Sequence, residues 1–507
     1  MEIFPWWNEE HKKFAVELTQ FVDEVIPRDE EARWKGDFPW DVIESMAEKG
    51  FFGAPIPKEY GGLGLGQIGT CIFGEQMGRI PGIGRVASAS LLGGLKQLEL
   101  FGTEEQKKRF LPRIARGELG AIAITEPFAG TDTANTQTIA RRAGDTYFIS
   151  GKKRFIVAAG IAQRYMLYAR TSDAPEDRRS HRHLTGFLVE KGMPGFSTEK
   201  INEIIGFDSD VQNGVINLDE VPVPVENRIG NEGDGWKVMM AGLNFERTTI
   251  AAIAVGWIGE MIRSAVPYVQ RRVQFGRKTG DFENNQFKLA DLFMKLKIAR
   301  LGAQYTSYLI DLGHEPTMYS TAFKVFNVES AAECARDAIQ LMGGDGVTKF
   351  YFPWIIHNVA KVEEIAGGTM EACRLIAHRF GLRELDEATR IPRRVIHKEL
   401  GVPITTFEKP EKGSHINEEE LLQALAEDYL VNPGLHMSYQ DLRAIFDVKD
   451  EELEQTILSL EQKGLLNVYR TRKGIELVKA TYEGLKKANP PEYYQWFPRW
   501  IDEKRRF

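Results

Sequence analysis

The chain has 507 residues, 43% of them hydrophobic and 27% charged, with a formal net charge of -7. Such a composition is globular and such a length exceeds what one hydrophobic core organises, so several domains are expected. The acidic balance gives no electrostatic footprint for nucleic acid or an anionic membrane surface, and neither partner is expected.

The amino terminus places Glu2, Glu9, Glu10, Lys12 and Lys13 around short apolar pieces, which is not the basic start and unbroken apolar run of a secretory signal. Charges interrupt every apolar run short of the ~20 residues that a bilayer-spanning helix needs, so no membrane insertion is expected. Cys71, Cys334 and Cys373 lie far apart without C-x-x-C spacing, which supports neither a disulfide framework nor a zinc site and fits a reducing cytoplasm.

Over residues 1–120 the period is helical: Phe14, Leu18, Phe21, Val22 and Val25 recur at three- and four-residue steps. From 121 to 235 short β-branched and aromatic runs replace it, at Thr146 to Ile149, Arg154 to Val157, Tyr165 to Ala169, Gly186 to Val189 and Gly214 to Leu218, predicting a mainly antiparallel β domain. After the glycine-rich Gly230 to Gly235 the helical period returns, as at Leu289, Leu292, Phe293 and Leu296, predicting a helical bundle over 236–388. A charged, proline-bearing linker over 389–414 leads to a last block, 415–507, with its own rhythm. The expected fold is therefore multidomain, α and β.

Several stretches carry chemistry. Thr125-Glu126-Pro127-Phe128-Ala129-Gly130-Thr131-Asp132 sets a glycine among small hydroxyl residues, which lets backbone N–H groups approach a flat ring or a phosphate; alone it reads as a turn closed by side-chain hydrogen bonds. Lys153 to Gly160 reads as a buried strand with Phe155 able to stack on a ring. Arg272-Val273-Gln274-Phe275-Gly276, followed by Gln286 and Leu289-Ala290-Asp291, offers a planar guanidinium fork suited to a diphosphate. Gln340-Leu341-Met342-Gly343-Gly344-Asp345-Gly346 is a cluster of small residues that permits close approach.

In this order and spacing the motifs resemble those of the acyl-CoA dehydrogenase family, over roughly residues 5 to 382. The resemblance implies the acyl-CoA dehydrogenase fold, an N-terminal α-helical domain, a central antiparallel β domain and a C-terminal four-helix bundle, with FAD as cofactor. It implies that Thr125, Phe155 and Val157 meet the flavin, and that Thr131 meets the CoA arm. It also implies that Arg272, Phe275, Gln286, Gln340, Gly343 and Gly344 serve the FAD of a neighbouring subunit, with Thr369 and Glu371 completing the cofactor set. Where relatives carry a hydroxyl for the flavin N5 this chain has Val157, so only its backbone N–H is left for that role.

Desaturating a thioester needs a base for the α proton, a hydride acceptor opposite it and a polarised carbonyl. Many relatives carry the base as a glutamate in an I-Y-E-G-T loop, but here the loop is Ile365-Ala366-Gly367-Gly368-Thr369. The isovaleryl-CoA and long-chain branches place the carboxylate on the first bundle helix before an arginine, and this chain has Glu246-Arg247 there. Glu246 is therefore the candidate base, with Glu363 and Glu364 as rivals, and the Gly367 N–H the candidate donor to the thioester oxygen. Arg247 is assigned to substrate, and Arg85 to a distal carboxylate if the acid is dicarboxylic; otherwise a branched, cyclic or aryl-substituted acyl group is expected. The resemblance implies an electron-transferring flavoprotein as acceptor and a dimer or tetramer of this chain. An acyl-CoA oxidase, a desulfinase or a non-enzymatic acyl-CoA sensor on the same scaffold are the alternatives.

His181-Arg182-His183 has two histidines without a third ligand, and no metal is assigned. In the last block, helical periodicity followed by the strand pattern at Gly464 to Arg470 and Ile475 to Val478 resembles a winged helix. Its would-be recognition helix begins Asp450-Glu451-Glu452 and continues with Glu454, which would repel phosphate, so a partner contact is expected rather than DNA binding. The aromatic Tyr493 to Trp500 is a candidate anchor or a packing segment.

Overall fold

A computed structural model describes residues 2–200, 204–206, 213–388, 416–431, 436–446, 448–472 and 474–489. They belong to two compact units, Met1–Leu382 and Arg383–Phe507. The linker and the Tyr493 to Trp500 stretch lie outside the described residues.

The first unit opens with α1, Glu9–Lys35, whose start is fixed by a reciprocal cap between Asn8 and His11 and whose end is Gly36 at φ 76°. Its Phe14, Leu18, Phe21 and Val22 are buried as their spacing requires, and Val25 is half-buried. Helices α2 (Trp40–Glu48), α3 (Gly66–Gly78), α4 (Pro81–Leu92), α5 (Leu95–Phe101) and α6 (Glu104–Ala115) complete the helical domain.

The β domain holds one sheet. Its strands are β1 (Gly120–Ala123), β2 (Ile139–Ala143), β3 (Thr146–Val157), β4 (Arg164–Arg170), β5 (Leu184–Glu190), β6 (Phe196–Lys200), β7 (Asn213–Pro224) and β8 (Arg228–Ile229), with the short helix α7 (Pro175–Arg179) between β4 and β5. They run in the order β6-β7-β3-β2-β4-β5-β8, with β1 paired to β4 in parallel and β2 meeting β4 through one parallel bridge; every other pairing is antiparallel. The two runs expected at 146–149 and 154–157 are one strand, because two register shifts, between Ile149 and Gly151 and between Lys153 and Ile156, let it bend without leaving β7. Strand β6 has no alternation of apolar residues to announce it.

Helix α8 (Gly235–Arg271) then runs through the first unit and packs with α9 (Glu283–Asp311), α10 (Thr317–Met342), α11 (Pro353–Glu363) and the start of α12 (Met370–Ala388). It alone among the described residues is apolar and long enough to cross a bilayer, and most of that stretch is buried in protein. Helices α3 and α8 touch backbone to backbone: a Cβ on Gly78 would lie 2.1 Å from Ile253 O, and one on Gly256 would lie 2.1 Å from Glu75 O. Buried Asn327 on α10 donates to Ala251 O at 2.9 Å and Ala299 O at 3.0 Å, tying three helices through one side chain.

The second unit has its own core, including Leu421, Leu425, Leu442, Leu453, Ile457, Val478 and Leu485. Its elements are helix Glu418–Val431, strand Met437–Ser438, helices Tyr439–Ile445 and Asp450–Gln462, the hairpin Leu466–Thr471 with Gly474–Ala480, and helix Tyr482–Ala488. Strand Met437–Ser438 pairs with the second arm of the hairpin, giving a three-stranded antiparallel sheet. The order of its described elements is helix, strand, helix, helix, hairpin, helix.

Candidate active site

Glu246 and Gly367 meet where α8 passes the turn between α11 and α12. Gly367 and Gly368 both adopt left-handed backbone, with φ 64° and 95°. A Cβ on Gly367 would lie 3.8 Å from both Cγ and Cδ of Glu246 and 3.0 Å from Ile250 Cδ1. A side chain carried at position 367 and the carboxylate that this chain carries on α8 would thus occupy neighbouring space.

The turn is held from behind by buried cations. Arg247 is 4% exposed; its Nε donates to Gly367 O at 2.9 Å and its Nη1 to Asn244 Oδ1 at 3.2 Å. Lys324 on α10 is fully buried and its Nζ donates to Gly368 O at 2.9 Å and Glu364 O at 3.5 Å. With the carbonyls drawn back, the N–H groups of Gly367, Gly368 and Thr369 have no protein acceptor among the described residues. Arg247, expected at the substrate, has its guanidinium engaged with the turn.

Glu246 is half-buried by accessible surface, but protein surrounds its carboxyl, and burial pushes its pKa up to about 7. The negative charge of Glu363 raises it further, while Arg247, Lys324 and Arg85 pull it down. Tyr168 on β4 is buried beside it, its hydroxyl accepting from Gln97 Nε2 at 3.3 Å. Of the rival carboxylates, Glu363 is buried and ion-paired with Arg85 of α4, and Glu364 pairs with Lys361 at 2.5 Å.

The Thr125 loop is fixed by its middle residue. Glu126, 4% exposed, pairs with the fully buried Lys153 at 2.7 Å and accepts the backbone N–H of Gln137 at 2.6 Å and of Thr138 at 3.1 Å. Arg154 N donates to Thr125 O at 2.8 Å, clipping the loop to β3. Next along β3, Phe155 stands at φ 59° with 48% of its surface exposed, and the Arg154 guanidinium lies 4.3 Å from its ring centroid. Val157 is half-buried, and Gly130 and Thr131 are exposed, with open space where a Gly130 Cβ would stand. An exposed aromatic in left-handed backbone, small loop residues and unmet N–H groups fit a planar ring carrying acceptors.

Other expected cofactor residues lie elsewhere. Arg272 follows α8, 26 positions beyond Glu246, about 39 Å along a helix axis. It leads into a two-stranded hairpin, Val273–Gln274 with Arg277–Lys278, whose tip residues Phe275 and Gly276 have φ 54° and 75° and whose Phe275 is 94% exposed. Gln286, Gln340, Gly343 and Gly344 are exposed too, with open space where a Cβ on either glycine would stand. One protomer does not bring this group to its own Glu246. Thr369 and Glu371 stand at the start of α12, Thr369 Oγ1 accepting from Ala372 N at 3.2 Å. Lys324 and the Glu126–Lys153 pair were not anticipated from sequence. A charged residue in an otherwise apolar helical stripe, as Lys324 is, was the available signal.

The chain matches three family descriptions in succession: "Acyl-CoA dehydrogenase, N-terminal domain" over residues 8–118, the middle domain over 121–221 and the C-terminal domain over 233–382. The chain belongs to the acyl-CoA dehydrogenase family. It is 34% identical to an acyl-CoA dehydrogenase of Bacillus subtilis over 359 residues, 70% of this chain and 93% of that one. It is also 34% identical to a mitochondrial isovaleryl-CoA dehydrogenase of Oryza sativa, over 75% of this chain and 92% of the relative. Among solved structures, butyryl-CoA dehydrogenase from Megasphaera elsdenii superposes with a TM-score of 0.71 at 30% identity, covering 75% of this chain and all of that one. The protein is thus an FAD-dependent acyl-CoA dehydrogenase in class, an oxidoreductase, with the acyl-CoA dehydrogenase fold in its first unit. The last of the three family descriptions ends at residue 382, the last residue of the first unit.

Proposed function

We propose that Glu246 is the base that takes the α proton of a bound acyl-CoA, and that the acyl group is branched, cyclic or aryl-substituted. The observation that carries this is the approach of Glu246 to the loop position where many relatives keep their carboxylate. A carboxyl with its pKa near 7 is ionised at neutral pH in part and gains basicity from its dry surroundings. The Gly367 N–H, which has no protein acceptor among the described residues, donates to the thioester oxygen and makes the α proton acidic. Thr131 contacts the CoA arm.

Bound FAD supplies the acceptor for the hydride leaving the β carbon. Thr125, Phe155, the Val157 N–H, Thr369 and Glu371 of one chain would hold it, with Arg272, Phe275, Gln286, Gln340, Gly343 and Gly344 of a second copy. The second copy is supported by the remoteness of Arg272 and by an exposed apolar stripe on α9, where Phe287, Met294, Ile298, Leu301 and Tyr305 return to one face. A dimer or tetramer is the assembly this supports, and an electron-transferring flavoprotein is the acceptor that the family resemblance supports.

A dicarboxylic substrate is less well supported, because its distal carboxylate would compete with Glu363 for Arg85. An oxidase is the second reading, favoured by Val157 at a position where a hydroxyl would face the flavin. The acidic start of helix Asp450–Gln462 supports a protein partner for the second unit rather than DNA.

The test is an anaerobic titration of the yellow holoprotein with a panel of branched, cyclic, aryl and dicarboxylic acyl-CoAs. Bleaching by a branched, cyclic or aryl member is expected; bleaching by dicarboxylic members alone would overturn the substrate assignment. Rapid oxygen consumption on reoxidation would move the reading to the oxidase.

A further inference from the structure

Lys324 is a cation in a place where a cation is expensive. It is fully buried in the bundle, takes part in no salt bridge among the described residues, and makes contact with two carbonyls and with Met370 Sδ at 3.7 Å. An apolar side chain of the same length would fill that space without the desolvation cost, so packing alone does not account for it. Its partners do. Glu364 O and Gly368 O lie at the two ends of the turn that contains Gly367, and Met370 N also donates to Glu364 O at 3.1 Å.

We propose that Lys324 is a positioning residue for thioester dehydrogenation: it holds the Glu364 and Gly368 carbonyls on the bundle side, which pins both ends of the turn that carries the Gly367 N–H and, with Arg247 on Gly367 O, turns the Gly368 and Thr369 N–H groups away from the bundle, and it sets a positive charge behind the developing enolate. This rests on the reading of Glu246 as base and Gly367 as donor, and adds the element that holds the ends of the donor turn. Two successive glycines in left-handed backbone have little preference for one orientation, and a turn of that kind keeps its shape only if something outside it specifies the shape. Arg247 anchors the peptide after Gly367 from α8, and Lys324 anchors the next one from α10.

The charge matters as well as the anchor. Glu246 is faced by Arg247 on its own helix, Lys324 on α10, Arg85 on α4, Glu363 at the end of α11 and Tyr168 on β4. Lys324 itself feels Glu246, Glu363 and Arg247, and Cys373 on α12. Removing the lysine charge therefore raises the pKa of Glu246, because one of the groups favouring the carboxylate is gone.

The experiment compares full-length holoprotein with Lys324→Met and Lys324→Gln. Glutamine keeps a donor for Gly368 O without the charge, and also serves if methionine does not fold. In Lys324→Met the rate of flavin bleaching at saturating acyl-CoA is expected to fall by roughly tenfold or more, with the acyl-CoA dissociation constant within about threefold of wild type. The carbonyl stretch of a bound, non-reacting 2-enoyl-CoA should move back toward its frequency in water, a readout that does not depend on turnover. In Lys324→Gln that frequency should stay close to wild type, while the acidic limb of the pH–rate profile moves upward, as it also does in Lys324→Met. A wild-type rate, carbonyl frequency and pH limb in both variants would overturn the proposal. An acidic limb absent from wild type itself would overturn the Glu246 assignment instead.

Discussion

Glu246 and Gly367 lie on different elements, 121 positions apart in sequence, yet a Cβ on the glycine would stand 3.8 Å from the glutamate Cδ. The carboxylate can therefore be carried by either position. Glu246→Gly should lower the bleaching rate by about 10³-fold, the loss of a positioned base. Adding Gly367→Glu should restore roughly ten- to hundredfold of that loss. Recovery stays partial because a glutamate at φ 64° costs about 1 kcal/mol or more and its Cβ meets Ile250 Cδ1 at 3.0 Å. Stopped-flow bleaching of the two variants checks this; no recovery would place the base elsewhere.

The raised pKa of Glu246 has consequences for rate and for stability with opposite signs. The rate at subsaturating acyl-CoA should rise with pH through about 7, as the carboxyl loses its proton, and Glu246→Gln should abolish that limb. Stability runs the other way. A carboxyl whose folded pKa lies above its unfolded value holds its proton more tightly in the folded state, so the fold loses stability as pH rises from the ordinary value of 4.5 through about 7, and the loss levels off above that. Glu246→Gln should stabilise the protein at pH 8 by on the order of 1–3 kcal/mol and by little at pH 5, where both forms are neutral in the fold. Thermal unfolding at the two pH values gives the comparison.

The helices were legible because their burial is one-sided: Phe14, Leu18, Phe21 and Val22 on α1 announce themselves by spacing alone. Strand β3 was read as two because a strand that bends at register shifts interrupts the alternation on which the reading depends. Glu246 was found through its neighbour Arg247 and the glycine in the loop, but its partners Lys324, Glu363 and Arg85 come from three other helices. No local pattern records such a meeting. Glu126 sat inside a recognisable motif, yet its structural duty depends on Lys153, 27 residues later, which a strand pattern treats as an ordinary outward lysine.

That pair makes its own prediction. Lys153→Met leaves Glu126 buried with only the Gln137 and Thr138 N–H groups to offset its charge, and should cost about 3–5 kcal/mol. Pairing it with Glu126→Gln should recover most of that loss, since no uncompensated charge remains. A double-mutant cycle by chemical denaturation measures the coupling; additive losses would mean the two side chains act separately.

Arg272 and Glu246 offer the sharpest test of assembly. They are separated by about 39 Å along α8, too far for both to touch one flavin site in the same chain. If Arg272 serves a second copy, Glu246→Gln and Arg272→Ala fail in different halves of a shared site. A hybrid dimer then contains one site with both defects and one with neither, because the intact Glu246 of one chain meets the intact Arg272 of the other. Random co-assembly of equal amounts makes half the dimers hybrid, so about a quarter of all sites should be intact. Co-expression of the two inactive chains with different affinity tags, and tandem purification, isolates the hybrid, in which about half the sites should bleach with acyl-CoA. Hybrid protein as inactive as its parents would mean that each chain completes its own site, and that Arg272 does not reach the cofactor of its neighbour.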